Sequence, residues 1–244
     1  MPHPTIAVPL RSPVTHRQAP LPGPIQRIVV DAGHGGHDPG TSHHGLQEKH
    51  LVLDMSRRLR DQLRDAGLDV TMTRESDQFI ALEKRPAVAN RLGADLFVSV
   101  HVNASPNSRK ISGVEVYYPR VSVVSSSNWP AFLSPNEIGT ASPDVRQVVW
   151  DLVLSKTRSQ SRRLATAICR SMRTQLRIPC LGVKAARFVV LREAWMPSVL
   201  VEVGYVTNRE EAGRLGTAEY RQAAAEAMAE GIVSYVRELG VQHI

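Results

Sequence analysis

From Ile28 onward, short apolar runs rich in β-branched residues alternate with longer segments whose apolar residues recur every three or four positions. Ile28–Asp31 reads as a strand, followed by a Gly/His-rich loop from Gly33 to Gly45. Leu51, Met55, Leu59 and Leu63 stand four apart, the spacing of one helical face, so a helix begins near Glu48 and ends at Ala66-Gly67. Leu68–Thr73 is the next strand. A helix over Leu82–Leu92 follows, where Pro86 fits only in the first turn, because proline has no N–H for an interior turn. Leu96–His101 is a strongly apolar strand, and Val114–Tyr118 follows a polar loop. The stretch 120–143 is rich in Ser, Pro and Asn without periodicity and reads as an inserted loop. Two helices around Val145–Leu154 and Arg162–Leu176, strands near Phe188–Leu191 and Ser198–Val203, and a helix from about Ala218 to Leu239 complete the pattern. Such alternation predicts a single three-layer α/β domain, with a mostly parallel twisted sheet flanked by helices. Residues 1–25, rich in proline, are expected to be a flexible lead-in, and the domain to occupy 26–244.

Composition narrows the class without naming a function. The chain has 244 residues, 42% apolar and 22% charged, which suits one soluble domain with a sizeable core. No apolar run approaches the roughly 18–20 residues that cross a bilayer, so no membrane span is expected. The first residues lack the compact apolar stretch of a secretory signal, which leaves a removed signal or another export route for any extracytoplasmic role. The net charge of +7 would suit an anionic partner. With no zinc finger, basic helix with interleaved aromatics or RNP-like strand, nucleic acid is not the expected partner. Cys169 and Cys180 are the only cysteines; they permit one disulfide, but without a framework or a CxxC pair two buried free thiols are expected.

Chemistry-bearing residues gather where strands end. Asp31-Ala32-Gly33-His34 closes the first strand, Glu48 follows its loop, His101-Val102-Asn103 closes another strand, and Glu202 lies within Ser198–Val203. Open α/β sheets collect their functional groups at the carboxyl ends of strands. His34, Glu48 and His101 together make two imidazoles and one carboxylate, a standard catalytic zinc set with a fourth position left for water. Singly, each has a plainer reading: a turn or phosphate loop, a helix N-terminal charge, a structural strand-end histidine. The loop lacks GxGxxG and GKS/T, so a nucleotide site fits it poorly. Glu202 differs, since a carboxylate in an otherwise apolar strand persists mainly when paired or functional.

The segments IVVDAGHGGHDPG, GLQEKHLVL, TRESDQFIALEKR, ANRLGADLFVSVHVNA, SGVEVYY, LGVKAARFVVLR and PSVLVEVGYVTNREE resemble the zinc-dependent N-acetylmuramoyl-L-alanine amidases of the type-3 family. They occur in the family's order, and the resemblance they mark extends over essentially everything from Ile28 to Leu239, apart from most of 120–143. The resemblance implies one Zn2+ per chain bound by His34, Glu48 and His101, with Glu202 as the catalytic carboxylate. It implies peptidoglycan as the substrate partner and therefore a periplasmic or secreted protein of the cell envelope. Val102 stands where the family commonly has alanine. Asn103 and Lys184 lie in matched segments as candidates for substrate contact, and Asp31 as a candidate to hold His34, with capping of the loop as its alternative. Arg74 and Arg85 are expected to pair with Asp77 or Glu83, and His37, His43 and His44 to be loop histidines.

Some relatives that act in cell division carry a helical insertion that covers the site until an activator protein removes it. Glu137 is the sole acid within 120–143 and so a candidate blocking carboxylate, although the composition there also suits a plain surface loop. The competing functions are a zinc peptidase or deacetylase on another wall amide, and a non-catalytic wall-binding module. Intact His34, Glu48, His101 and Glu202 weigh against the latter.

Overall fold

A computed structural model describes residues 25–120 and 142–241. In chain order the elements are β1 (Arg27–Ala32), β2 (Ser42–His43), β3 (Leu46–Gln47), α1 (Glu48–Asp65), β4 (Asp69–Met72), α2 (Lys84–Leu92), β5 (Leu96–Asn103) and β6 (Val114–Pro119). There follow α3 (Pro143–Leu176), β7 (Cys180–Ala186), α4 (Val189–Arg192), β8 (Ser198–Tyr205), α5 (Arg209–Leu215) and α6 (Ala218–Val241). Six strands form one sheet in the order β4-β1-β5-β8-β6-β7, while β2 and β3 make a separate two-stranded ribbon. Every neighbouring pair in the large sheet is parallel except β6 against β8. This is the mixed, mostly parallel α/β sheet that the pattern predicts.

Period-two alternation sorts each strand's side chains between two unequal layers. Ile28 and Val30 of β1, Val98 and Val100 of β5, and Val199 and Val201 of β8 face the large core, which includes Leu59, Leu164, Ile168, Met228 and Ile232 of α1, α3 and α6. Their neighbours Val29, Phe97 and Leu200 face a thinner layer closed by Ala89 of α2 and by Val190 and Leu191 of α4. Asp31, Ser99, His101, Glu115 and Glu202 share the parity of that thinner side. The site therefore lies where α2 and α4 leave the sheet face uncovered.

Three local expectations are revised. The two helices predicted after 143 are one continuous helix, α3, whose Ser142 accepts a hydrogen bond from the Val145 amide as an N-cap. The strand expected near Phe188–Leu191 is instead the short helix α4, and the strand before it is β7, whose intermediate burial at an edge weakens its apolar signal. Cys169 and Cys180 are joined by a disulfide, with Cα atoms 5.8 Å apart. Arg177 takes a left-handed conformation (φ 53°) after α3, and this reversal brings the start of β7 back beside the helix. Helix α5 and the β2–β3 ribbon went unread. Pro86 does sit in the first turn of α2. Positions 1–24 of the lead-in and 121–141 of the insertion, Glu137 among them, lie outside the described residues.

Candidate active site

Glu48 opens α1, where the helix dipole favours a carboxylate, and its side chain is buried. Oε1 accepts from the Val102 amide at 3.0 Å and lies 2.9 Å from His101 Nδ1. Oε2 accepts from the Thr41 amide at 2.9 Å and lies 3.2 Å from His34 Nε2. One ligand atom from each of His34, Glu48 and His101 thus falls within 4.8 Å of the others, the spacing a single cation requires. Burial alone would raise the Glu48 pKa; the hydrogen bonds and charges of His101 and His34 outweigh it and hold the carboxyl well below its ordinary range. Burial lowers the His34 pKa, and Glu48 and Asp38 more than reverse that. The cluster is built around an anion and draws positive charge.

The backbone of the β1–α1 loop is shaped to this end. His34 itself adopts φ 58°, a conformation non-glycine residues rarely take and one that concentrates at functional sites. Gly40 has φ 63°, and a Cβ there would stand 2.5 Å from Glu48 Oε2 and 2.7 Å from His34 Cδ2. Asp38, four residues after His34, lies 2.8 Å from His34 Nδ1, which leaves Nε2 toward Glu48. Metal-bound imidazoles are commonly fixed by such a carboxylate on the other nitrogen.

Two buried arginines clamp the same loop. Arg74 donates to the carbonyls of Ala32, Gly33 and Lys49 at 2.9, 2.7 and 2.9 Å. Arg85 donates to the carbonyls of Ala32 and His34, both at 2.7 Å, and to Asp31 Oδ1 at 2.9 Å. These contacts replace the expected pairs with Asp77 and Glu83. They also correct Asp31: its carboxylate is fully buried among Thr73, Ser99 and Arg85, and His34 is held by Asp38 instead. Among the described residues, Asp31 reaches the loop through Arg85.

Glu202 stands opposite His101 in the parallel β5–β8 register and opposite Glu115 in the antiparallel β6–β8 register. Its Oε2 is sealed from solvent and has no hydrogen-bond partner among the described residues. Burial pushes its pKa up to about 7, with the charges of Glu48 and Glu115 adding to the rise and His101 opposing it. A buried carboxylate oxygen left without a partner is costly unless something else uses it.

The other candidates sort by distance from this centre. Asn103 reaches Glu115 Oε2 with Nδ2 at 3.4 Å, and Lys184 forms an ion pair with Glu115 Oε1. His37 stacks on Phe79 at 4.1 Å between ring centroids, and His43 and His44 belong to the exposed β2–β3 ribbon; none joins the trio. Asp38, Thr41 and Glu115 were not read from the sequence. Thr41 contributes only a backbone amide and carries no side-chain signal. Glu115 carried the signal that marked Glu202, an acid within an apolar run.

Comparisons with known proteins agree with this architecture. Residues 28–234 match the model of the N-acetylmuramoyl-L-alanine amidase family. The chain is 37% identical over 219 residues to N-acetylmuramoyl-L-alanine amidase AmiA of Escherichia coli, covering 85% of this chain and 75% of that protein. It is 34% identical to the uncharacterized protein YqiI of Bacillus subtilis, covering 92% and 90%. Among solved structures it resembles the amidase AmiC2 of Nostoc punctiforme with a TM-score of 0.68 and 32% identity, over 87% of this chain and 97% of that one. With the family model spanning most of the chain and relatives above 30% identity sharing its sequence and fold, the chain belongs to the N-acetylmuramoyl-L-alanine amidases, hydrolases of the bond joining the muramic acid lactyl group to the stem peptide.

Proposed function

We propose that the chain cuts this amide in peptidoglycan with one zinc ion held by His34, Glu48 and His101, and with Glu202 as the carboxylate that moves the proton. The observation that carries the reading is the register of His101 with Glu202, with a buried carboxylate oxygen that has no partner among the described residues beside a two-imidazole, one-carboxylate donor set. That donor set suits zinc in catalytic rather than structural use, because three protein ligands leave a position open. When bound, zinc supplies Lewis acidity, drawing electron density from the scissile carbonyl and making a hydroxide nucleophile available near pH 7.

The chain's own residues do the rest. Glu48 remains ionised, because His101, His34 and two backbone amides stabilise its charge. Glu202 accepts the proton of the attacking water on a carboxylate oxygen and delivers it to the nitrogen of the departing L-alanine, so that the amine leaves uncharged. Its position on β8, a strand buried along most of its length, holds the carboxylate at a fixed height above the sheet. The bridge between Cys169 and Cys180 supports an oxidising compartment, in keeping with a substrate in the cell envelope. No helix among the described residues is long and apolar enough to cross a membrane.

The decisive experiment is mass spectrometry of purified peptidoglycan digested by the zinc-loaded protein. Free stem peptides with an L-alanine amino terminus and glycan stripped of peptide are expected, with loss under chelator and recovery with zinc. Cleavage within the stem would replace the amidase reading by a zinc peptidase. The Glu202→Gln protein is expected to keep one zinc per chain by elemental analysis while turnover falls at least about a hundredfold; near-normal turnover would remove Glu202 from its role.

A further inference from the structure

Strands β6 and β7 carry a polar row beside Glu202 that the chemistry above does not use. Glu115 is 4% exposed, yet it is an acid, and it lies directly across the antiparallel ladder from Glu202. Tyr117 donates its hydroxyl to Glu115 Oε2, and Lys184 closes an ion pair on Oε1. In the β6–β7 register Lys184 is opposite Tyr117, and Gly182 is opposite Glu115. To reach Glu115 the lysine must therefore lean back along its own strand over Gly182. The geometry there allows it: a Cβ on Gly182 would touch Lys184 Cε and Cγ at 3.6 and 3.9 Å, and φ at Gly182 is 143°. Those distances are ordinary packing contacts that show the lysine stem lying over position 182, and it is the φ that favours glycine there.

The pair is asymmetric. Its negative end is buried and its positive end is not, for the Lys184 side chain is 47% exposed against 5% for that of Glu115. An ammonium has three N–H donors, and the Glu115 carboxylate engages one oxygen with it, so donors remain for a ligand. Register sets Lys184 two strands from Glu202 and level with Leu200, but its ammonium folds back to Glu115, in the strand next to Glu202, so it stands roughly 5–10 Å from Glu202 at the usual spacing. An extended peptide advances about 3.3–3.6 Å per residue, so that interval matches a group one or two residues beyond the scissile bond.

We propose that Lys184, fixed by Glu115, is a substrate-recognition residue that reads a carboxylate on the first residues of the stem peptide. The inference rests on the amidase reading and deepens it. The muramic acid carboxyl is consumed in the amide, and the sugar presents hydroxyl and acetamido groups, so the ionised carboxyls near the cut belong to the peptide. Anchoring on Glu115 holds the ammonium in place before substrate arrives, which lowers the ordering cost of binding. A buried strut for Glu115 would need no exposed, positively charged end.

The test uses the zinc-loaded enzyme and two N-acetylmuramoyl peptides that differ only in carrying a carboxylate or its primary amide on the residue after L-alanine. Wild type is expected to favour the carboxylate by about tenfold in kcat/KM, the size of a charge-assisted hydrogen bond at a partly open site. Lys184→Met should collapse that ratio toward one, with the loss falling on KM, and Lys184→Arg should restore most of it. A strut would act on both substrates alike, so an unchanged ratio in Lys184→Met overturns the proposal, as does a wild-type ratio near one. Failure of the wild type to release either peptide would overturn the amidase reading together with it.

Discussion

His34 shows how much of this site is set by single contacts. Its ring nitrogens face two carboxylates, Asp38 at 2.8 Å and Glu48 at 3.2 Å, and its backbone takes the left-handed conformation that aims the side chain inward. Only Glu48 belongs to the donor trio; Asp38 fixes the ring from behind. Asp38→Ala is therefore expected to weaken zinc binding by about tenfold to a hundredfold, the usual loss when the partner of a metal-bound histidine is removed. Competition against a chromophoric chelator measures it, and an unchanged dissociation constant would dismiss Asp38 as a positioning residue. Gly40 explains why the loop tolerates no ordinary side chain opposite Glu48, since the space a Cβ needs is taken by the side chains of Glu48 and His34.

Between elements, the decisive feature is that α2 and the segment after β4 reach back to the end of β1. Arg74 and Arg85 span this gap and bond the carbonyls that precede and include His34. Burial raises the Asp31 pKa, but the Arg85 charge and the hydroxyls of Thr73 and Ser99 outweigh it, so the folded value lies below the unfolded one. Such a group contributes stability that is complete above the ordinary carboxylate range, near pH 4, and is lost as pH falls through the folded value. Arg85→Met leaves Asp31 buried without its countercharge and should cost about 3–5 kcal/mol at pH 7. With the arginine gone, burial prevails and Asp31 protonates more readily, so the difference from wild type should shrink as pH drops from 7 toward 4. Urea unfolding across that range provides the check; a pH-independent difference would show that Asp31 ionisation is not what Arg85 supports.

Across the whole molecule, the sheet divides labour. One face is closed by the large core with α1, α3 and α6, and the other is left open over the strand ends, where the charged row from His101 through Glu202 and Glu115 to Lys184 crosses four strands. The disulfide ties α3 to the first residue of β7, at the far edge of that row, and closes a short loop of sequence separation 11. Cross-linking a loop of this size stabilises by about 2–3 kcal/mol. Reduction, or Cys169→Ser with Cys180→Ser, is expected to lower the thermal midpoint by several degrees, with no further effect of reductant on the double variant. A midpoint indifferent to reductant would mean that the bridge adds nothing to the fold.

Much of this was legible in the sequence because its causes are local. The four-residue spacing of Leu51, Met55, Leu59 and Leu63 fixes α1, the alternation along β1 and β5 fixes their two faces, and an acid within an apolar strand marks Glu202. The trio His34, Glu48 and His101 could be assembled on paper, since strand ends in an α/β sheet converge on one edge. What the sequence could not give was which side chain meets which across that edge. Asp38 rather than Asp31 holds His34, the arginines bond carbonyls rather than the acids near them in the chain, and Cys169 meets Cys180 only because the chain reverses at Arg177. Register and chain reversal decide such pairs, and both follow from packing of the whole sheet rather than from any short stretch of sequence.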